Sequence, residues 1–132
     1  MDRAVTYVGP VPLDRRSDLV RLYQGAEALV LSSKQETFGR VLAEAMACET
    51  PVVATRCGAP EEVVQDGENG FLVPLGDPHA MAEAILRIVD DPGLRDRMGQ
   101  AGREAVLAKF SMDIVGRRLV DSLRRVYPDL LA

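Results

Sequence analysis

Cysteine is scarce in this chain, with Cys48 and Cys57 alone among 132 residues. Their spacing fits no metal site, and two thiols make no disulfide framework, so a reduced, cytoplasmic setting is expected. Histidine is scarcer still. His79, the only one, follows Asp77-Pro78 at the start of a helical pattern and reads as a surface residue. No catalytic histidine can be assigned and no metal site is expected. Positive charge is not in excess. A net charge of −4 argues against a nucleic-acid partner, which would need a basic face to neutralise phosphates. There is no signal peptide and no apolar run of about 18 residues, so no membrane span is expected. Internal repeats, low-complexity tracts and linkers are missing too. No G-x-G-x-x-G follows the first apolar run, which disfavours a Rossmann dehydrogenase.

What is present is an ordinary globular composition, 47% hydrophobic and 27% charged, sufficient for one compact domain. Val5–Val8, Ala28–Leu31 and Pro51–Ala54 read as buried parallel strands, with a shorter fourth at Gly70–Val73. Leu19, Leu22 and Tyr23 mark a helix over roughly 14–24. Phe38, Val41, Leu42, Ala45 and Met46 mark another that begins near Phe38, and residues 60–65 make a short one. This alternation predicts an α/β fold with a parallel sheet over about residues 4–76.

An all-helical segment over about residues 77–127 completes the single expected domain. Asp77-Pro78 and Asp91-Pro92 each pair an N-cap with proline at the first helical position. Leu94, Met98, Ala101, Ala105 and Ala108 form one apolar stripe, and Met112, Val115, Leu119, Leu123 and Val126 a second. Asp113–Arg117 and Asp121–Arg125 are expected ion pairs on a solvated face. The alternative for those arginines is an anionic membrane surface, reached peripherally, or a partner domain.

The chemistry concentrates between Leu31 and Val73. A strand ends at Ser32-Ser33 and a helix follows, which is where open α/β sheets bind ligands. The helix start offers free N–H groups and a positive dipole end to an anion. Gly39 either lets the backbone approach that anion or only relieves crowding. Glu36 and Glu44, if both helical, would lie about 12 Å apart along the axis and about 80° apart around it. That is too far for the paired carboxylates of a glycosidase. It suits two acceptors gripping different parts of an elongated ligand: Glu36 on hydroxyls beyond the phosphates, Glu44 on a ribose. Glu44 sits between Leu42, Ala45 and Met46, where a bare carboxylate needs a partner.

Glu36 and Glu44 form an E-x7-E pattern, framed by Ser32-Ser33, Phe38-Gly39, Glu44-Ala45-Met46-Ala47-Cys48 and Thr50-Pro51-Val52-Val53-Ala54. Gly58, Glu62-Val63-Val64, Asp66-Gly67, Asn69-Gly70-Phe71-Leu72-Val73 and Phe110-Ser111 continue it. The whole resembles the retaining glycosyltransferases of the GT-B fold, the large group 1 family that includes sucrose synthases and mannosyltransferases. The resemblance implies a partial Rossmann-like sheet flanked by helices, the C-terminal donor-binding domain of such an enzyme.

It also implies roles. Glu36, the one residue assigned to catalysis, resembles the glutamate that binds hydroxyls of the transferred sugar. Thr37, Phe38 and Gly39, with Arg40 in the following turn, resemble the site for that sugar and its diphosphate. Glu44 resembles the ribose-binding glutamate. The loop around Gly9-Pro10-Val11 resembles the one beside the nucleobase. The donor would be a UDP-sugar, with GDP-mannose next, and no cofactor is implied.

The family's usual opening strand, glycine-bearing turn and basic diphosphate clamp do not precede Ala4, and an acceptor-binding domain is not represented. The chain is therefore expected to be inactive alone and to need that N-terminal partner domain. Against Rossmann order, the strand beside Ala28–Leu31 is missing. Either Val5–Val8 moves in or a second copy pairs there as a homodimer. The family often has glycine where Glu49 stands. A left-handed glutamate costs about 1 kcal/mol, so that turn is expected to differ. The alternative reading is a free-standing, non-catalytic module that binds a nucleotide or a protein.

Overall fold

A computed structural model describes residues 5–127. Ala4, at the head of the expected α/β part, lies outside them. A 3-10 turn (Leu13–Arg15) leads into α1 (Arg16–Gly25), followed by β1 (Leu29–Leu31), α2 (Arg40–Ala47), β2 (Val52–Thr55), α3 (Pro60–Val63) and β3 (Gly70–Val73). Three helices end the chain: α4 (Pro78–Asp90), α5 (Pro92–Phe110) and α6 (Met112–Val126). The strands form a parallel sheet in the order β1-β2-β3, with Leu29 opposite Val52 and Val52 opposite Gly70. The architecture is the expected α/β sheet flanked by helices, with a helical C-terminal segment.

Strand alternation sends side chains to two layers. Val52, Ala54 and Leu72 point to one layer with Leu42, Ala45 and Met46 of α2, Val63, Val64 and Val106. Val53, Phe71 and Val73 point to the other, against Ala84 and Ile88 of α4 and Met98 of α5. Leu42 and Met46 are wholly buried, each contributing about 1.5–3 kcal/mol of transfer free energy. The N-caps form as the sequence predicts. Asp77 accepts from the Ala80 N–H and Asp91 from the Leu94 N–H, both at 2.9 Å.

Four expectations are corrected. Val5–Val8 forms no strand and does not join β1; Val5 and Tyr7 are 87% and 90% exposed. A two-sided apolar run is a strand only when a neighbour supplies hydrogen bonds, and β1 pairs with β2 alone. The α5 stripe holds at Met98, which is buried, and at Leu94, Ala101 and Ala105, which are half-buried, but Ala108 is exposed and the most buried face also runs through Gly99, Gly102 and Val106. The glycines mark the face because they allow the closest approach to α2. A Cβ on Gly99 would lie 2.2 Å from the Glu49 carbonyl oxygen, and one on Gly102 would lie 3.4 Å from Met46. On α6, Arg117 donates to the Asp113 carbonyl oxygen rather than its carboxylate, and Asp121 approaches Arg124 at 3.9 Å instead of Arg125. These exposed pairs have no packing to choose between rotamers.

The fourth correction is Glu49, which does adopt the left-handed conformation, with φ 63°. The Glu49 N–H donates to the Met46 carbonyl and the Thr50 N–H to the Ala45 carbonyl, each at 3.0 Å. This is the Schellman pattern that normally carries glycine. Arg103 of α5 holds it from outside, donating to the Ala47 carbonyl and reaching the Glu49 carboxylate at 3.6 Å.

The α6 stripe faces outward. Met112, Leu119 and Val126 are exposed and α6 has no fully buried side chain, although Leu123 and Ile114 are partly covered. Among the described residues no helix is long and apolar enough to cross a membrane.

Candidate functional site

The carboxyl ends of the three strands open on one side of the sheet. Ser32 and Lys34 after β1, Thr55 at the end of β2 and Pro74 after β3 line a cavity of about 570 Å³ there. Thr55, 5% exposed, ties two of these ends together by donating to the Ser33 carbonyl oxygen at 2.5 Å.

Between Ser33 and α2 the chain makes a tight turn. Helix α2 starts at Arg40, so Glu36 lies ahead of it rather than on it, bridged to Gly58 of the loop after β2. The Glu36 side chain folds over the turn. Its Oε1 accepts from the backbone N–H groups of Thr37 (3.1 Å), Phe38 (3.4 Å) and Gly39 (3.2 Å). Oε2 has no hydrogen-bond partner among the described residues. The three donors, Gly39 foremost, hold the carboxyl below its ordinary pKa, because they favour the charged form. Gly39 is the N-cap at φ 69°, in the region where a side chain costs about 1–2 kcal/mol. The turn therefore needs glycine for its backbone shape. Phe38 is 55% exposed and meets Phe110 edge-on, with ring centroids 5.9 Å apart.

One turn into α2, Glu44 is held on both oxygens. Arg40 Nε lies 3.2 Å from Oε1, and the Tyr23 hydroxyl of α1 donates to Oε2 at 3.1 Å. Burial, aided by the adjacent Glu44 carboxylate, raises the Tyr23 phenol to about 12, so it remains a donor. Tyr23 is the residue that the sequence alone did not single out. It is 21 positions from Glu44, and no local spacing signals the contact.

The structure thus joins Glu36 to the Thr37–Gly39 backbone and Arg40 to Glu44. Gly9 and Val11 stand apart. Gly9 has φ 80°, and Val11 lines a second cavity of about 410 Å³ with Val8, Pro10, Arg15, Asp18 and Leu22. No hydrogen bond among the described residues links that loop to Glu36 or Glu44. No group of three or more metal-ligating side chains occurs among the described residues, and His79 is exposed at the start of α4.

The sequence pattern described as "Glycosyl transferases group 1" matches residues 4–105. The chain belongs to that family. Among its group 1 relatives, a D-inositol 3-phosphate glycosyltransferase of Acidothermus cellulolyticus is 41% identical over 129 residues, covering 98% of this chain and 27% of that protein. The sucrose-phosphate synthase of Thermosynechococcus elongatus superposes with a TM-score of 0.84 at 36% identity, covering 93% of this chain and 30% of that one. Anabaena HepE, solved in complex with UDP and glucose, also superposes at 0.84, with 26% identity over 94% of this chain and 33% of that one. The chain spans 26–30% of the length of the curated relatives it matches.

Proposed function

We propose that this chain is the donor-binding part of a retaining glycosyltransferase, holding a nucleoside-diphosphate sugar between the Glu36–Gly39 turn and Glu44. The observation that carries the reading is the convergence of three backbone N–H groups on the single Glu36 oxygen at the carboxyl end of β1. That anchor leaves Oε2 free to accept from hydroxyls of the transferred sugar. The N–H groups of Arg40 and Val41 open the helix and face the diphosphate. Glu44 accepts from the ribose with the lone pairs that Tyr23 and Arg40 leave unused. Gly9 and Val11 border the nucleobase.

In the reaction the sugar C1–O bond breaks and its electron pair leaves with the diphosphate. The acceptor oxygen attacks from the same face and its proton passes to the departing diphosphate oxygen, so configuration is retained and no covalent enzyme intermediate is needed. The helix start stabilises the departing charge. The complex of Anabaena HepE with UDP supports UDP as the nucleotide; GDP-mannose is the next candidate donor. The acceptor side would come from a further domain of the complete enzyme, in the cytoplasm.

Titrating UDP, GDP and ADP against the chain, followed by amide chemical shifts, tests the reading. Shifts centred on Thr37–Glu44 that Glu44→Ala weakens by about ten- to a hundredfold are expected, matching a lost hydrogen bond to a charged group of roughly 1.5–3 kcal/mol. Shifts confined to other surfaces, or unchanged by Glu44→Ala, would overturn it.

A further inference from the structure

The two groups that grip Glu44 are unequal. The Arg40 side chain is 82% exposed, so water competes for its contact and the side chain is free to leave. Tyr23 is fixed at both ends. Its ring packs against the core layer built on α2 and β2. Its carbonyl oxygen accepts from the Thr50 hydroxyl at 2.7 Å and from the Ala26 N–H at 3.0 Å, and Thr50 is 2% exposed. The phenol is thereby delivered to Glu44 from a rigid mount.

We infer that Tyr23 is a positioning residue for ribose recognition, acting through Glu44. This rests on the reading that Glu44 accepts from the ribose. A glutamate on a helix surface has several rotamers, and only some aim the carboxylate at a fixed point. Donation by Tyr23 to Oε2 restricts that choice before a ligand arrives, which lowers the ordering cost of binding. The same bond leaves two of the four acceptor sites of the carboxylate open once Arg40 is counted, enough for the vicinal hydroxyls of one ribose.

The test compares UDP with 2′,3′-dideoxy-UDP on the 132-residue chain, because the affinity ratio isolates the ribose contact from the rest of the site. Tyr23→Phe keeps the ring and its packing and removes only the hydroxyl. It is expected to reduce the UDP to dideoxy-UDP ratio about three- to tenfold, the worth of one net hydrogen bond, with dideoxy-UDP affinity unchanged. Adding Tyr23→Phe to Glu44→Ala is expected to have no further effect on the ratio. Thr50→Val, which removes one of the two donors to the Tyr23 carbonyl and so loosens the mount of the phenol, should lower the ratio in the same direction and serves if Tyr23→Phe folds poorly. A wild type that discriminates, alongside variants that retain the full ratio, overturns the role of Tyr23 and leaves the Glu44 reading standing. A wild type that binds both nucleotides equally, or neither, removes the ribose role of Glu44 and this inference with it.

Discussion

Gly99→Ala and Gly116→Ala make the same chemical change inside two helices and are expected to have opposite signs. In an exposed helix interior, alanine is favoured over glycine by about 0.8–1.0 kcal/mol. Gly116 lies on α6 with nothing within 4 Å of its would-be Cβ, so nearly the whole gain is expected. At Gly99 the new Cβ would sit 2.2 Å from the Glu49 carbonyl oxygen and 3.0 Å from its carbon. An ordinary contact is about 3.4 Å or more, so α5 must retreat by roughly 1 Å from backbone that cannot rotate away. Overpacking of a well-filled interface costs about 1–3 kcal/mol and occasionally more. Disturbing the Arg103 contacts adds to it. After the propensity gain, the expected net loss is about 1–2 kcal/mol. Urea unfolding followed by circular dichroism would read both variants as shifts in midpoint at constant slope. A Gly99→Ala variant as stable as the wild type would refute the packing argument. A destabilised Gly116→Ala would refute the exposure of that position on α6.

Glu49→Gly relieves the left-handed glutamate at φ 63°, worth about 1–2 kcal/mol. It loses an exposed ion pair and some unfolded-state restriction. A net gain of roughly 0.5 kcal/mol is expected in the same unfolding assay. Gly39→Ala makes the reverse change at φ 69° and is expected to cost about 1–2 kcal/mol, with weaker nucleotide shifts in the turn. Glu36 has a depressed folded-state pKa, so its stabilisation is complete above the ordinary value of 4.5 and is lost as pH falls through the folded value. Acid titration is expected to show this loss in the wild type and its absence in Glu36→Gln. In the complete enzyme, Glu36→Ala is expected to cut turnover strongly, while Glu44→Ala weakens UDP as much as UDP-sugar. Equal effects of the two changes on UDP affinity would contradict the division of roles.

The sheet and most helices were legible because local rules and burial agree there. Val52–Ala54 is apolar and buried on both faces, and the Asp-Pro pairs carry their own caps. Failure came where a partner distant in sequence decides. Val5–Val8 has the residues of a strand but no neighbour to pair with. Side-chain periodicity marks the α5 stripe, whereas the closest contact of that helix is made at Gly99 and Gly102, which have no side chain. Glu49 takes a strained conformation because two backbone hydrogen bonds and Arg103 over-determine the turn. At the candidate site, spacing and resemblance single out Glu36, Gly39 and Glu44. They do not single out Tyr23, whose hydroxyl reaches Glu44 across helices and whose neighbours in sequence give no hint of chemistry.

Strand β2 supplies Val52 and Ala54 to one core layer and Val53 to the other, so neither layer can open without disturbing the other. Its amides are bonded within the sheet on both sides. Exchange of these protons with solvent therefore requires the whole domain to come apart, and their protection reports the global unfolding free energy. Helix α6, without a fully buried side chain, exchanges through its own local opening. A single deuterium-labelling time course would thus separate the stability of the fold from that of its last helix.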